Sequence, residues 1–113
     1  MKKFFLFLIL TACSFCSCEN KKALPTPLDL CDRISFSENV EPILNIHCAV
    51  SGCHVSGFPP GDFTTYEGVH AQIENGFFQS KVLGDRSMPP FDSLSKEELE
   101  TLQCWVDHGA PNN

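Results

Sequence analysis

Basic residues are scarce in this chain. It has 8 Lys and Arg against 14 Asp and Glu, for a formal net charge of −6. An acidic chain repels phosphate backbones and anionic lipid headgroups, which argues against nucleic-acid binding and against electrostatic docking on a membrane. Long apolar runs are also missing: Phe4–Leu10 has the length of a signal-peptide core and is far too short to cross a bilayer.

The first residues predict an export signal. Lys2 and Lys3 precede the apolar run, as in a positively charged n-region followed by an h-region. Leu10-Thr11-Ala12-Cys13 has the form of a lipobox, in which the cysteine becomes lipidated and N-terminal, and Cys18 is a second candidate. We favour a signal peptide over residues 1–17 with Cys18 lipidated; cleavage after residue 12 with Cys13 lipidated is the alternative.

The number of cysteines supports that choice. Cleavage before Cys18 leaves one lipidated thiol and two further pairs, Cys48 with Cys53 and Cys31 with Cys104. It also removes two lysines, so six basic residues remain against 14 acidic ones, a net charge of −8. We therefore expect an exported protein on the periplasmic side, held to the inner or outer membrane by acyl chains, where disulfides are stable.

The mature chain is one small domain behind a tether. Residues 18–30 contain Pro25 and Pro27 and predict a flexible linker, and residues 31–113 show no repeats. A domain of this size is near the lower limit for a self-sufficient hydrophobic core. We expect it to need a further stabilising element.

Three segments have helical periodicity, and none alternates as a strand would. The first segment, residues 35–48, begins at Ser35 or Ser37, and Ser35 with Glu38 has the capping-box form. Residues 64–75 end at Asn75-Gly76, and residues 95–108 begin at a Ser95/Glu98 capping box. The segment from Gly84 to Pro90 is predicted to be irregular. Phe77 and Phe78 are expected to seal the core. The predicted fold class is all-α with long loops.

The most informative motif is Cys48-Ala49-Val50-Ser51-Gly52-Cys53-His54. Two closely spaced thiols with a histidine directly after the second are what covalent haem c attachment requires, here in a C-x4-C-H form. Gly52 suits the tight return of the longer loop. The alternatives are a zinc site built from His47, Cys48, Cys53 and His54, and a Cys48–Cys53 disulfide. We favour haem, with His54 as the proximal iron ligand.

Met88 is the predicted distal ligand. It is the only methionine left after export, and Pro89 keeps it out of helical geometry in a Met-Pro-Pro loop. Thioether sulfur suits an iron that only transfers electrons. His70 and His108 are rival ligands on predicted helices.

A disulfide is expected between Cys31 and Cys104. At 100° per residue, Cys104 lies nearly opposite the apolar face of the last predicted helix. An exposed thiol in an oxidising compartment favours pairing, which would strap the N-terminal segment across that helix.

Taken together, these motifs resemble a small cytochrome c domain of the type found in lipoproteins of Bacteroidetes. The matching segments are Phe36–Ile43, Ser51–His54, Met88–Pro90 and Cys104–Pro111. The resemblance implies one covalent haem c, a first and a last helix packed near one haem edge, and iron ligation by histidine and methionine. It also implies that a proline carbonyl, from Pro59 or Pro60, accepts the other N–H of the proximal histidine.

The favoured function is therefore a membrane-tethered one-electron carrier with redox partner proteins, monomeric and without an enzymatic reaction of its own. A haem peroxidase or gas-binding sensor with a labile sixth ligand is one alternative. A structural lipoprotein stabilised by disulfides or zinc is the other.

Overall fold

The computed structural model describes residues 30–113, and within this range it contains helices and no β-strand. Three α-helices follow in order: α1 (Glu41–His47), α2 (Tyr66–Glu74) and α3 (Lys96–Asp107). Two π-helical segments, Phe36–Val40 and Gln79–Gly84, complete the architecture. The all-α prediction is confirmed. The predicted signal peptide, the lipidation candidates Cys13 and Cys18, and nearly all of the tether lie outside the described residues.

The first predicted helix forms, but it begins as a π-helix. Ser35 caps it: the Glu38 N–H donates to Ser35 Oγ at 3.2 Å, and the reciprocal bond comes from the Ser35 N–H to Asn39 Oδ1. The Glu41 N–H donates to the Phe36 carbonyl, a π-type bond. The change to α-helical bonding falls at Pro42, which has no N–H to leave unpaired. Asn39 therefore takes the role that the sequence had assigned to Glu38.

The middle of the chain departs further from expectation. α2 begins after Thr65, whose side chain accepts the Gly68 N–H at 3.2 Å, and Gly76 follows its end with φ of 80°. Phe78 is buried as predicted, but Phe77 is 60% exposed, so that part of the prediction is wrong. Adjacent residues on a helical turn point about 100° apart, and here only Phe78 is directed into the core while Phe77 lines the cavity. The π-helical segment Gln79–Gly84 was not predicted at all.

α3 agrees with the sequence in detail. Ser95 and Glu98 form the predicted capping box: the Glu98 N–H donates to Ser95 Oγ, and the Ser95 N–H donates to Glu98 Oε2 at 2.7 Å. Leu102 and Trp105 are fully buried on its inner face. α3 packs against both π-helical segments and so joins the two halves of the domain.

The last residues return to the start of the fold. The Trp105 indole N–H donates to the Pro111 carbonyl, and the Tyr66 hydroxyl donates to the Ala110 carbonyl, both at 2.9 Å. Asn113 then accepts the N–H groups of Phe36 and Ser37, two of the first helix's otherwise unpaired donors.

The core is a continuous cluster of buried side chains drawn from every helical segment. Phe36, Tyr66 and Trp105 form its aromatic centre, with ring centroids 5.2 to 6.5 Å apart. The buried members are Phe36, Val40, Ile43, Leu44, Cys48, Phe63, Val69, Phe78, Val82, Leu102, Trp105 and Ala110.

A disulfide joins Cys31 to Cys104 on the outside of α3, with a Cα–Cα distance of 5.0 Å. Asp32 follows Cys31 and lies 3.4 Å from His108 Nε2, so a polar contact lies beside the bridge. Over residues 30–113, every helix is too short or too polar to cross a bilayer.

Removing this bridge should destabilise the domain, because it closes a loop of 73 residues. We expect Cys31→Ser with Cys104→Ser to lower the free energy of unfolding by about 2–4 kcal/mol in denaturant titrations. Ser93→Ala, at an exposed position outside the bridge, is the control. Recovery of Cys31 and Cys104 as separate alkylated peptides from unreduced protein would contradict the pairing.

Candidate functional site

The thiol loop is closed by its own backbone. The His54 N–H donates to the Cys48 carbonyl at 3.1 Å, so the two ends of the C-x4-C-H motif are held together. Within the loop, the Cys53 N–H donates to the Val50 carbonyl at 2.9 Å, and Gly52 has φ of 82°. A turn with its third residue at positive φ favours glycine. The four residues between the thiols therefore fold back in a turn, the role expected of Gly52.

The two thiols of the loop are free and differ in environment. Cys48 is the C-cap of α1, where its N–H donates to the Leu44 carbonyl, and it is buried, whereas Cys53 is half-buried. Burial, followed by the nearby charges of Cys53 and Asp92, raises the pKa of the Cys48 thiol to about 11. The Cys48 thiol is therefore protonated at neutral pH.

His54 is oriented by two contacts. Its Nδ1 lies 3.1 Å from the Gly61 carbonyl oxygen, and its ring stacks on Phe63 with centroids 4.1 Å apart and planes at 14°. The carbonyl can only accept, so Nδ1 carries the hydrogen and Nε2 presents a lone pair. The prediction that Pro59 or Pro60 supplies this carbonyl is wrong; the turn through Pro60 brings Gly61 to the ring instead.

The Gly61–Phe63 segment is held in place by α2. A Cβ atom on Gly68 would lie 1.7 Å from the Asp62 carbonyl oxygen, so only glycine permits this approach. The Phe63 N–H donates to the His54 carbonyl at 2.9 Å, and the Phe63 ring is buried. These contacts hold the Gly61 carbonyl and the Phe63 ring in position against His54.

Next to these groups lies an apolar cavity of about 560 Å³. Cys48, Cys53 and His54 line it together with an apolar set: Phe58, Pro59, Pro60, Phe63, Phe77, Phe78, Val82, Met88, Pro89, Pro90 and Phe91. Phe91 is 98% exposed and Phe77 60%, and Phe58 and Met88 are exposed to 36% and 39%. Clustered exposed apolar side chains around one concavity mark a surface that a ligand or partner covers.

The structure separates the candidate sulfur ligand from its rivals. Met88 lies on the cavity wall, with its N–H donating to the Lys81 carbonyl and a cis peptide bond to Pro89. His70 contacts Glu74 and Tyr66 on α2, and His108 contacts Asp32 and the Cys104 carbonyl at the end of α3. Neither histidine lines the cavity.

His47, one of the four candidate zinc ligands, makes other contacts with its ring. Both ring nitrogens of His47 contact carboxylates, Nδ1 with Asp92 and Nε2 with Glu98. In residues 30–113, no three His, Cys, Asp or Glu side chains are grouped closely enough to hold a metal ion. Cys48 and Cys53 are not joined to each other in this structure.

No protein-family model matches the chain, and neither a curated protein nor a solved structure matches it. The site is therefore interpreted from its own residues. Sequence reasoning missed Gly61, Phe63 and the two partners of His47. The Pro-Pro-Gly run could have suggested a turn beside the histidine, but no local signal connects His47 with Asp92, which is 45 residues away.

Replacing Gly52 should strain the thiol loop. We expect Gly52→Ala to lower the free energy of unfolding by about 1 kcal/mol, because the added Cβ meets open space but must adopt a positive φ. Ser51→Ala, the exposed neighbour, should be close to neutral in the same denaturant titration. Equal stability of the two variants would contradict the turn geometry.

Proposed function

We propose that this chain is a membrane-tethered mono-haem c-type cytochrome that carries one electron between partner proteins. One observation supports this more than any other: Cys48, Cys53, His54 and Met88, selected from the sequence as a haem site, all line the same apolar cavity. The two rival histidines face elsewhere.

The predominantly apolar lining of the cavity supports a porphyrin as its occupant. A porphyrin is a large apolar body, and the exposed rings of Phe77 and Phe91 would be covered by one. A covalently held group of this kind would also enlarge the core of a chain this small. When bound, haem c supplies an iron that alternates between ferric and ferrous states.

Each residue then has a distinct role. Cys48 and Cys53 would hold the group through thioether bonds to its vinyl groups. His54 would bind iron through Nε2, because Nδ1 is directed to the Gly61 carbonyl, and that hydrogen bond increases the basicity of the ring. Met88 would supply the sixth ligand from its loop.

Electron transfer is a better fit than peroxide chemistry. A haem peroxidase needs an acid–base side chain that can take up and release a proton near the iron. His47 is the other histidine on the cavity wall, but both of its ring nitrogens contact carboxylates. It is therefore poorly placed to act on a bound peroxide.

The cellular context belongs to the same proposal. Lipidation at Cys18, or at Cys13, would tether the domain to a membrane on the periplasmic side, and the linker would let it reach redox partner proteins as a monomer. The acidic surface supports partners other than nucleic acid.

Haem attachment is directly measurable. The protein expressed in a host with haem c maturation should gain the mass of one haem per chain, retained after denaturation. Cys53→Ala should retain at most one thioether bond, and His54→Ala should lose the low-spin spectrum. Ser51→Ala, between the thiols, is the matched control. A mature mass without haem would contradict the proposal.

Ligation by Met88 is tested separately. Met88→Ala should open the iron to carbon monoxide or cyanide, and Met88→His should lower the reduction potential while the iron stays low-spin, since thioether sulfur favours ferrous iron relative to imidazole. His70→Ala, outside the cavity, should leave spectrum and potential unchanged. If Met88→Ala retains the wild-type spectrum and potential, the ligand lies elsewhere.

A further inference from the structure

His47 connects three parts of the fold through its ring. It is the last residue of α1, directly before Cys48, and its side chain is only 12% exposed. Nδ1 lies 2.5 Å from Asp92 Oδ2 in the loop that carries Met88, and Nε2 lies 3.0 Å from Glu98 Oε1 at the start of α3. Glu98 is itself fixed by the α3 capping box.

These two contacts require a charged ring. An ionised carboxylate accepts hydrogen bonds and donates none, and a neutral imidazole donates only one. Both contacts of His47 can therefore be hydrogen bonds only when both nitrogens carry hydrogen. Loss of one proton leaves a ring lone pair facing a carboxylate oxygen, which is repulsive.

The charges around the ring also favour its protonated form. Burial lowers the pKa of His47, but the hydrogen bonds and charges of Asp92 and Glu98 outweigh it, so the pKa is raised. In turn, the hydrogen bond from His47 lowers the pKa of Asp92, and the Ser95 N–H followed by His47 lowers that of Glu98. The neighbouring Cys48 thiol stays protonated.

The pH range over which this contact is stable follows from the directions of the three pKa shifts. A raised histidine pKa means that the stabilisation is complete below the ordinary value of 6.5 and is lost as pH rises through the raised pKa. The lowered carboxyl pKa values mean that it is lost again in acid, below the ordinary values of 3.8 and 4.5. The contact is therefore strongest in mildly acidic solution and weakens on the alkaline side.

Asp92 is well placed to hold the loop that carries Met88 (residues 88–94, the Met88 loop) in position. On one side, the Met88 N–H donates to the Lys81 carbonyl, and on the other, Leu94 packs against the core. Between them, Phe91 is almost entirely exposed, and Asp92 reaches across to His47. This contact ties the loop to the helix that ends at Cys48.

We propose that His47 is a positioning residue, whose imidazolium between Asp92 and Glu98 holds the Met88 loop on the cavity and releases it when the ring loses its proton. As far as it concerns ligation by Met88, the inference rests on the proposed function. The contact between the loop and α1 is independent of it.

The test follows the loop by two readouts on the haem-loaded protein. Amide hydrogen exchange at Met88 and Ser93, corrected for intrinsic rates, should rise about fivefold between about pH 6 and about pH 9. The absorption band of iron–thioether ligation should weaken over the same range. NMR titration of the His47 ring should give the same midpoint.

Three variants isolate the cause. His47→Gln should show the wild type's high-pH exchange at every pH, with no transition. Asp92→Asn, at an exposed position where folding is not at risk, should likewise raise amide exchange of the loop at about pH 6. His108→Gln, which removes an exposed imidazole paired with Asp32, should titrate like the wild type.

The outcomes separate the two proposals. If the pH transition persists in both His47→Gln and Asp92→Asn, another group causes it and the role of His47 is overturned. The role is also overturned if, in the haem-loaded wild type, neither amide exchange nor ligation by Met88 depends on pH. If the chain carries no haem but exchange still depends on His47, the cytochrome proposal fails and the loop contact stands.

Discussion

The backbone hydrogen bond from His54 to the Cys48 carbonyl is the constraint on which the site depends. It returns the chain to the end of α1 after the thiol loop, so that both thiols and the imidazole reach one wall of the cavity. α1 must itself be rigid for this to matter. Its preceding π-helical segment is capped by Ser35 and by Asn113, and its inner face packs in the core.

The small size of the domain limits how much apolar surface it can bury. A short chain has little interior, and here the core is completed by residues drawn from every helical segment. Large apolar side chains nevertheless remain exposed around the cavity, Phe77 and Phe91 above all. A covalent haem, as proposed, would resolve this imbalance by adding its own apolar area to the core.

Polar contacts orient the side chains that line the cavity. The Gly61 carbonyl selects the ring nitrogen that His54 presents, and the stacked Phe63 ring limits its rotation. His47 also lines this cavity and makes polar contacts with Asp92, in the loop that carries Met88, and with Glu98 in α3. Both arrangements limit the positions open to His54 and to the loop that carries Met88, and in the proposed cytochrome they would keep the iron ligands nearly unchanged between redox states.

The sequence by itself determined what depends on near neighbours: the all-α class, the capping box of α3, the turn at Gly52 and the grouping of two thiols with a histidine. These features depend on residues within one or two helical turns. Only the tertiary structure decided that Met88 lies on the cavity wall while His70 and His108 do not, that Phe77 is exposed, and that Gly61 rather than a proline contacts His54. It also decided the π-helical segments and the bond between His47 and Asp92. Each of these results from packing between segments distant in the chain, which local spacing does not encode.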